Sequence, residues 1–192
     1  MTDVTGWPGV GRILRATGLA PDLSSVDPDV LTAAFERGRG VHAACEGHHY
    51  GFDIELEPEW RGFYDGYLCF CDETKHVPIR SEYNVYSRRW RFKGRLDRTG
   101  LITLAGYEGR RTILDWKTGD AAGVEVQMAA YMLAHNEMHP TEPVELAAAV
   151  ALRRNGTYRV HPVDIEKPMA HGFTPRQVWF SAVVNWWARN GR

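Results

Sequence analysis

The chain has 192 residues, of which 44% are hydrophobic and 24% charged, a balance that fits one soluble globular domain with a sizeable core. No apolar run nears the roughly 18 residues of a membrane span, and Asp3, Trp7 and Pro8 break any secretory leader pattern, so a cytoplasmic protein without a membrane partner is expected. The net charge of −1 conceals an asymmetry: residues 1–79 carry 6 basic and 13 acidic side chains, residues 80–192 carry 17 and 11.

In chain order, Pro8 to Gly18 predicts a short helix ending at glycine. Asp27-Pro28 supplies an N-cap and a first-turn proline for a second helix, carried to about Glu46 by Val30, Leu31, Ala34, Phe35, Val41 and Cys45; Gly38 and Gly40 weaken its middle. Pro58 opens a third helix, with Trp60, Phe63, Tyr64, Tyr67, Leu68 and Cys71 as its apolar face. The period then shortens. Ile79 to Ser87 and Arg89 to Arg98 read as strands joined by a polar turn, and Leu101 to Ala105 and Arg111 to Lys117 read as two more around Gly106-Tyr107-Glu108-Gly109. Glu125 to about His139 is helical, Val144 to Leu152 and Tyr158 to Val163 form a strand pair turning at Asn155-Gly156, and Thr174-Pro175 starts a last helix. The order predicts a single α/β domain over 1–192: helices over 1–78, a mixed-sheet core over 79–165 covered on both faces, and a closing helix over 174–190.

The three cysteines do not suggest a disulfide framework. Cys45, Cys69 and Cys71 are odd in number, and residues two apart on a helix do not face each other, so buried, reduced thiols are expected. His42-x-x-Cys45-x-x-His48-His49 offers zinc-type donors, but no second cluster with ribbon or finger spacing follows.

The most informative stretch is Asp115-Trp116-Lys117-Thr118-Gly119. Thr112-Ile113-Leu114 leads straight into it, and period-two alternation puts Asp115 and Lys117 on one strand face and Trp116 on the other. A carboxylate and an ammonium side by side where a buried strand ends can bind a divalent cation and steady a water. The triplet alone is weak, since an Asp/Glu-x-Lys arises by chance roughly once in a chain this long. A second one, Glu73-Thr74-Lys75, closes a helical pattern before Pro78.

Other residues gain meaning from their position relative to Asp115. Asp97, in Gly94-Arg95-Leu96-Asp97-Arg98, lies one hairpin upstream; it either starts a turn or shares an oxygen site for Mg²⁺ or Mn²⁺. Glu82 adds a third carboxylate to that edge or pairs on the surface with a neighbouring arginine. His42 follows Gly38 by one helical turn and is either structural or completes a metal site. Gln127 and Tyr131 share a helix face one loop after Lys117, pointing to solvent or back at the strand edge. Arg88, Arg89, Arg91, Lys93, Arg95 and Arg98 form the densest basic run, either a solvated hairpin rim or a contact for a nucleic-acid backbone.

Taken in order, Gly38-x-x-x-His42, Glu82, Gly94-x-x-Asp97, Asp115-x-Lys117-Thr118-Gly119 and Gln127-x-x-x-Tyr131 resemble the RecB-like branch of the PD-(D/E)XK nucleases, nearest to compact phage-type exonucleases. The resemblance spans roughly Pro8 to Leu133. It implies a restriction-endonuclease-like core, a mixed sheet of about five strands flanked by helices. It implies a Mg²⁺- or Mn²⁺-dependent deoxyribonuclease in which His42, Asp97, Asp115 and the Trp116 carbonyl bind metal. Lys117 then positions water with Asp97, Asp115 and Glu82 in the catalytic set, while Gln127, Tyr131, Thr118 and the arginines Arg88, Arg89, Arg91 and Arg95 contact DNA. Exonuclease action in phage-type recombination, replication or repair follows, in a bacterial or phage-infected cell, with a single-strand annealing or recombination protein as a candidate partner. A selective endonuclease and a non-cleaving DNA- or protein-binding relative are the alternatives. Asp115 stands where many members have glutamate. Relatives with an iron–sulfur cluster use four cysteines, three near the C-terminus; this chain has none after Cys71, so no cluster is expected.

Overall fold

A computed structural model of the protein describes residues 3–119 and 123–191. The elements run α1 (Val10–Ala16), α2 (Pro28–Tyr50), a 3₁₀ turn (Pro58–Trp60), α3 (Arg61–Glu73), β1 (Val77–Ser87), β2 (Phe92–Leu101), β3 (Thr112–Lys117), α4 (Val124–Met138), β4 (Leu146–Leu152), β5 (Tyr158–Val163) and α5 (Pro175–Asn190). No described helix is long and apolar enough to cross a membrane.

The five strands form one mixed sheet in the order β1-β2-β3-β4-β5. Neighbours are antiparallel except β3 and β4, which run parallel with α4 as their crossover. Both faces are covered. Ile113, Ala147 and Ala149 pack with α1, α4 and α5, while Leu114, Trp116, Ala148 and Val150 pack with α2 and α3. Strands buried on both faces lose their polar alternation, so β3 reads as the nearly continuous apolar run before Asp115.

The helix signals behave as written. Asp27 caps α2 by accepting from the Asp29 and Val30 amides at 2.8 and 3.4 Å, and Thr174 and Gln177 close a reciprocal capping box on α5. Helix α2 runs a full turn past Glu46, through three glycines, to Gly51 in the left-handed conformation. Packing is the reason: a Cβ on Gly40 would come within 2.6 Å of the Trp60 ring, and one on Gly47 within 2.4 Å of Ile54. Gly38 differs. Its added Cβ would meet only Thr118 Oγ1, at 3.8 Å.

Three expectations need correction. Leu101–Ala105 is not a separate strand: β2 continues to Leu101, and the chain then leaves the sheet, with the Thr103 amide donating to the Thr74 carbonyl at the end of α3. Residues 88–91 belong to the β1–β2 turn, because the Glu137 carboxylate of α4 accepts from the Arg88 and Arg89 amides and Arg91 takes φ +50°. Of the cysteines, only Cys45 is buried; Cys69 and Cys71 are part-exposed, and all three are free thiols.

Gly38→Ala and Gly40→Ala are expected to move stability in opposite directions. Alanine relieves the helix-interior cost of glycine, roughly 0.5–1 kcal/mol, and at Gly38 nothing opposes that gain. At Gly40 the Trp60 ring must shift, an overpacking cost of about 1–3 kcal/mol. Chemical denaturation of the two variants checks the signs.

Candidate metal centre and active site

The carboxyl end of β3 and the middle of the β1–β2 hairpin meet the cleft side of α2. Asp115 projects toward α4, where Gln127 Nε2 donates to its Oδ1 at 3.4 Å and to the Tyr131 hydroxyl at 3.2 Å. Trp116 projects the other way, buried edge-on against Tyr67 and Phe70. Its backbone remains in the site, with its amide donating to Asp97 Oδ2 at 2.8 Å and its carbonyl accepting from His42 Nε2 at 3.0 Å.

Glu82 reaches the site through an irregularity. Its neighbours Ser81 and Tyr83 pair with Arg98 and Leu96, so Glu82 lies across the hairpin from Asp97, and it takes φ +45°. A left-handed glutamate is strained, and such residues persist where the surroundings hold them. On β2, Leu96 packs in the α4–α5 core while Arg98 turns to α2, where its Nη2 donates to the Cys45 carbonyl at 2.9 Å. Alternation is therefore broken between them, and Asp97 and Glu82 sit at the break.

His42 Nδ1 is 3.6 Å from both Glu82 Oε1 and Asp97 Oδ2. One donor atom each from His42, Glu82 and Asp97 falls within 4.8 Å of the others, the one metal-type cluster among the described residues. Octahedral Mg²⁺ with ligands at roughly 2.0–2.1 Å places adjacent donors about 3 Å apart, closer than the 3.6 Å between imidazole and carboxylates, so an ion held here would draw the three groups together. The Trp116 carbonyl, with two lone pairs, can orient His42 and still face a metal. Asp115 Oδ2 is buried and lies 2.6 Å from Lys117 Nζ, a close charged pair at the cleft floor.

The charges show the same demand for a cation. Burial, then the charge of Asp115, pushes Asp97 from 3.8 up to about 7, against the pull of His42 and Lys117. Burial lowers His42, but Asp97, the Glu82 hydrogen bond and Asp115 together outweigh it and raise the imidazole to about 9. Burial opposes the Lys117 charge as well, and Asp115 reverses the effect, leaving the ammonium above its usual value and protonated.

The site floors a cleft of ≈ 760 Å³ that also takes in Arg37, Gly38, Arg39, Thr118 and, at its mouth, Phe35. Not every anticipated contact reaches it. Arg95 does, paired with Glu82 at 2.7 Å. Arg88, Arg89 and Arg91 lie in the turn, the nearest of them six residues or roughly 20 Å along the strand from Asp97. Tyr131 is 8% exposed and acts on the site through Gln127; Gly94 makes room for it, since a Cβ there would lie 2.5 Å from its ring. The zinc-type spacing on α2 does not converge: Cys45 is buried and His48 faces the Tyr67 hydroxyl. Arg37 and Arg39 carry no expected role, although the Arg-Gly-Arg triplet before His42 was a visible signal, and Phe35, part of the apolar pattern of the second helix, is 57% exposed.

A mixed five-strand sheet flanked by helices, with carboxylates, an imidazole and one lysine clustered at a strand end, is the architecture of a restriction-endonuclease-like fold. The model of the PD-(D/E)XK nuclease superfamily matches residues 55–177, and the chain belongs to that superfamily. Its nucleases use divalent metals. No curated protein matches the chain. The match covers β1 to β5 and leaves α2, with His42, outside.

Metal-free protein should lose stability as pH rises through the neutral range. A raised Asp97 favours the folded state below 3.8 and loses that advantage through about 7; a raised His42 contributes fully below 6.5 and loses its contribution through about 9. Both slopes have the same sign. Below about pH 6.5 the lowered His76 and His135 work the other way, so melting in EDTA should show a declining midpoint from about pH 7 to 9, and Mg²⁺ should flatten the decline. Asp97→Asn should raise the midpoint in EDTA near pH 8 while abolishing Mg²⁺ stabilisation.

Proposed function

We propose that the chain is a Mg²⁺- or Mn²⁺-dependent DNA exonuclease of the RecB-like, phage-type branch, acting in DNA recombination, replication or repair alongside a single-strand annealing or recombination protein in a bacterial or phage-infected cell. One observation carries the branch: a histidine delivered by the helix before the core, His42, lies 3.0 Å from the Trp116 carbonyl and 3.6 Å from the Glu82 and Asp97 carboxylates. His42, Asp97, Asp115 and the Trp116 carbonyl would hold the metal, and Glu82 stands close enough to join them. Bound there, the metal supplies a Lewis acid for the scissile phosphate and lowers the pKa of a water.

The chain's own residues supply the rest. Lys117, protonated and 26% exposed at the cleft floor, donates to water and offsets charge on the phosphate. Gln127 fixes the rotamer of Asp115. The Trp116 amide fixes that of Asp97. Arg37, Arg95 and Thr118 face the strand in the cleft, and Arg88, Arg89 and Arg91 extend backbone contact along the hairpin.

Labelled linear and covalently closed circular DNA, incubated with Mg²⁺, Mn²⁺ or EDTA, tests the reading. Linear DNA should shorten progressively from its ends in either metal, and circles should stay intact. Nicked or linearised circles would replace exonuclease with endonuclease action, and no cutting of either form would remove the enzyme reading.

Lys117→Ala should lower the single-turnover rate about 10²–10³-fold, with DNA affinity in Ca²⁺ reduced only a few-fold. Lys117→Arg should not restore the rate, because a planar guanidinium cannot place a donor where the compact ammonium sits. Near-normal cleavage by the arginine variant would assign Lys117 a role of charge alone.

A further inference from the structure

We propose that Phe35 is a stacking platform for an unpaired base of the strand entering the cleft, so that the site takes single-stranded DNA or frayed ends in preference to intact duplex. This rests on the nuclease reading of the cleft and adds the class of substrate. Phe35 is 57% exposed and stands on the cleft wall. It precedes Gly38 by three residues, Arg39 by four and His42 by seven, so all four share one face of α2. Seven residues of helix set Phe35 roughly 10 Å from the imidazole, within the reach of a strand whose phosphate lies at the metal site.

The cleft lining that includes Phe35 combines the apolar Leu23, Leu31 and Ala34 with the cations Arg37 and Arg39, a mixture that suits a base and its phosphate. Among the described residues no ring contact involves Phe35; the nearby Arg37 guanidinium lies over Phe63 instead, at 5.3 Å. Between Phe35 and His42 the wall is the bare backbone of Gly38, where an added Cβ would touch only Thr118 Oγ1. That gap suits a sugar–phosphate chain. Arg37 and Arg39 line the same cleft from the same helix as the ring, and their sign suits phosphate. Bases in duplex already have both faces stacked, so a free ring face selects an unpaired one. Such stacking tolerates any base sequence.

The test uses the full chain in Ca²⁺ with oligonucleotides carrying 2-aminopurine at successive positions from one end. Wild-type protein should quench the probe at one or two adjacent positions and bind single strands more tightly than blunt hairpin duplex. Phe35→Ala should lose that quenching and weaken single-strand affinity about tenfold, bringing the two affinities together, and in Mg²⁺ it should raise KM for single strands more than it lowers kcat. Phe35→Trp should restore quenching, which a role in folding alone would not. If wild-type protein cuts DNA but Phe35→Ala quenches and binds like wild type, the stacking role is wrong and the nuclease reading stands. A change of oligomeric state in Phe35→Ala, with DNA affinity unaltered, would make the ring a subunit contact and overturn the proposal. Wild-type protein that neither binds nor cuts DNA would remove both.

Discussion

Three carboxylates are forced together at a sheet end where little water reaches them. Asp115 is 4% exposed and Glu82 and Asp97 12% each, against Lys117, Arg95 and the His42 imidazole. Burial first, and then the neighbouring charge of Asp115, raises Asp97 to about 7. Much of the local structure holds these oxygens in place despite that repulsion. The Trp116 amide, Gln127 and Arg95 each grip one, and the strained Glu82 backbone is part of the same arrangement. A site that is costly to fold empty gains the most from a divalent ion.

The neutral packing around the site is arranged to make this tolerable. Trp116 anchors β3 from beneath with Tyr67 and Phe70, so the strand cannot swing its carboxylate away. Alanines along β4 let both helix layers approach the sheet closely, and α4 brings Gln127 to Asp115 from above. Gly94 lets Tyr131 lie flat on β2, which sets the hydroxyl that orients Gln127. The glycine of the Gly94-x-x-Asp97 spacing is thus a packing requirement one step removed from the chemistry.

What the sequence disclosed follows the same division. Local devices were legible: the Asp27-Pro28 and Thr174-Pro175 helix starts, the buried run ending in Asp115, and the opposed directions of Asp115 and Trp116. Strand alternation failed at Glu82 and Asp97, because the break in the hairpin depends on a left-handed backbone that no residue type there announces. The Leu101–Ala105 strand failed because the Thr74 carbonyl captured the Thr103 amide, a contact set by tertiary packing. The strand start at Arg89 failed because residues 88–91 form a turn fixed by Glu137, a residue of α4 about a quarter of the chain away. Phe35 counted only as one apolar position of the second helix, although its spacing to His42 put it on the cleft face.

The attachment of α2 links these observations. The superfamily match begins at residue 55, yet His42 stands in contact with the matched core. Two donors close that gap from the core side: Arg98 and the Tyr67 hydroxyl both donate to the Cys45 carbonyl, at 2.9 and 3.2 Å, one helical turn past His42. Arg98 is 1% exposed, and its Nε and Nη1 have no partner among the described residues, an expensive way to hold a helix. It is also the residue after Asp97. The hairpin break that aims Asp97 at the metal site therefore turns Arg98 toward α2, so one backbone irregularity sets both a carboxylate and the helix that carries the imidazole.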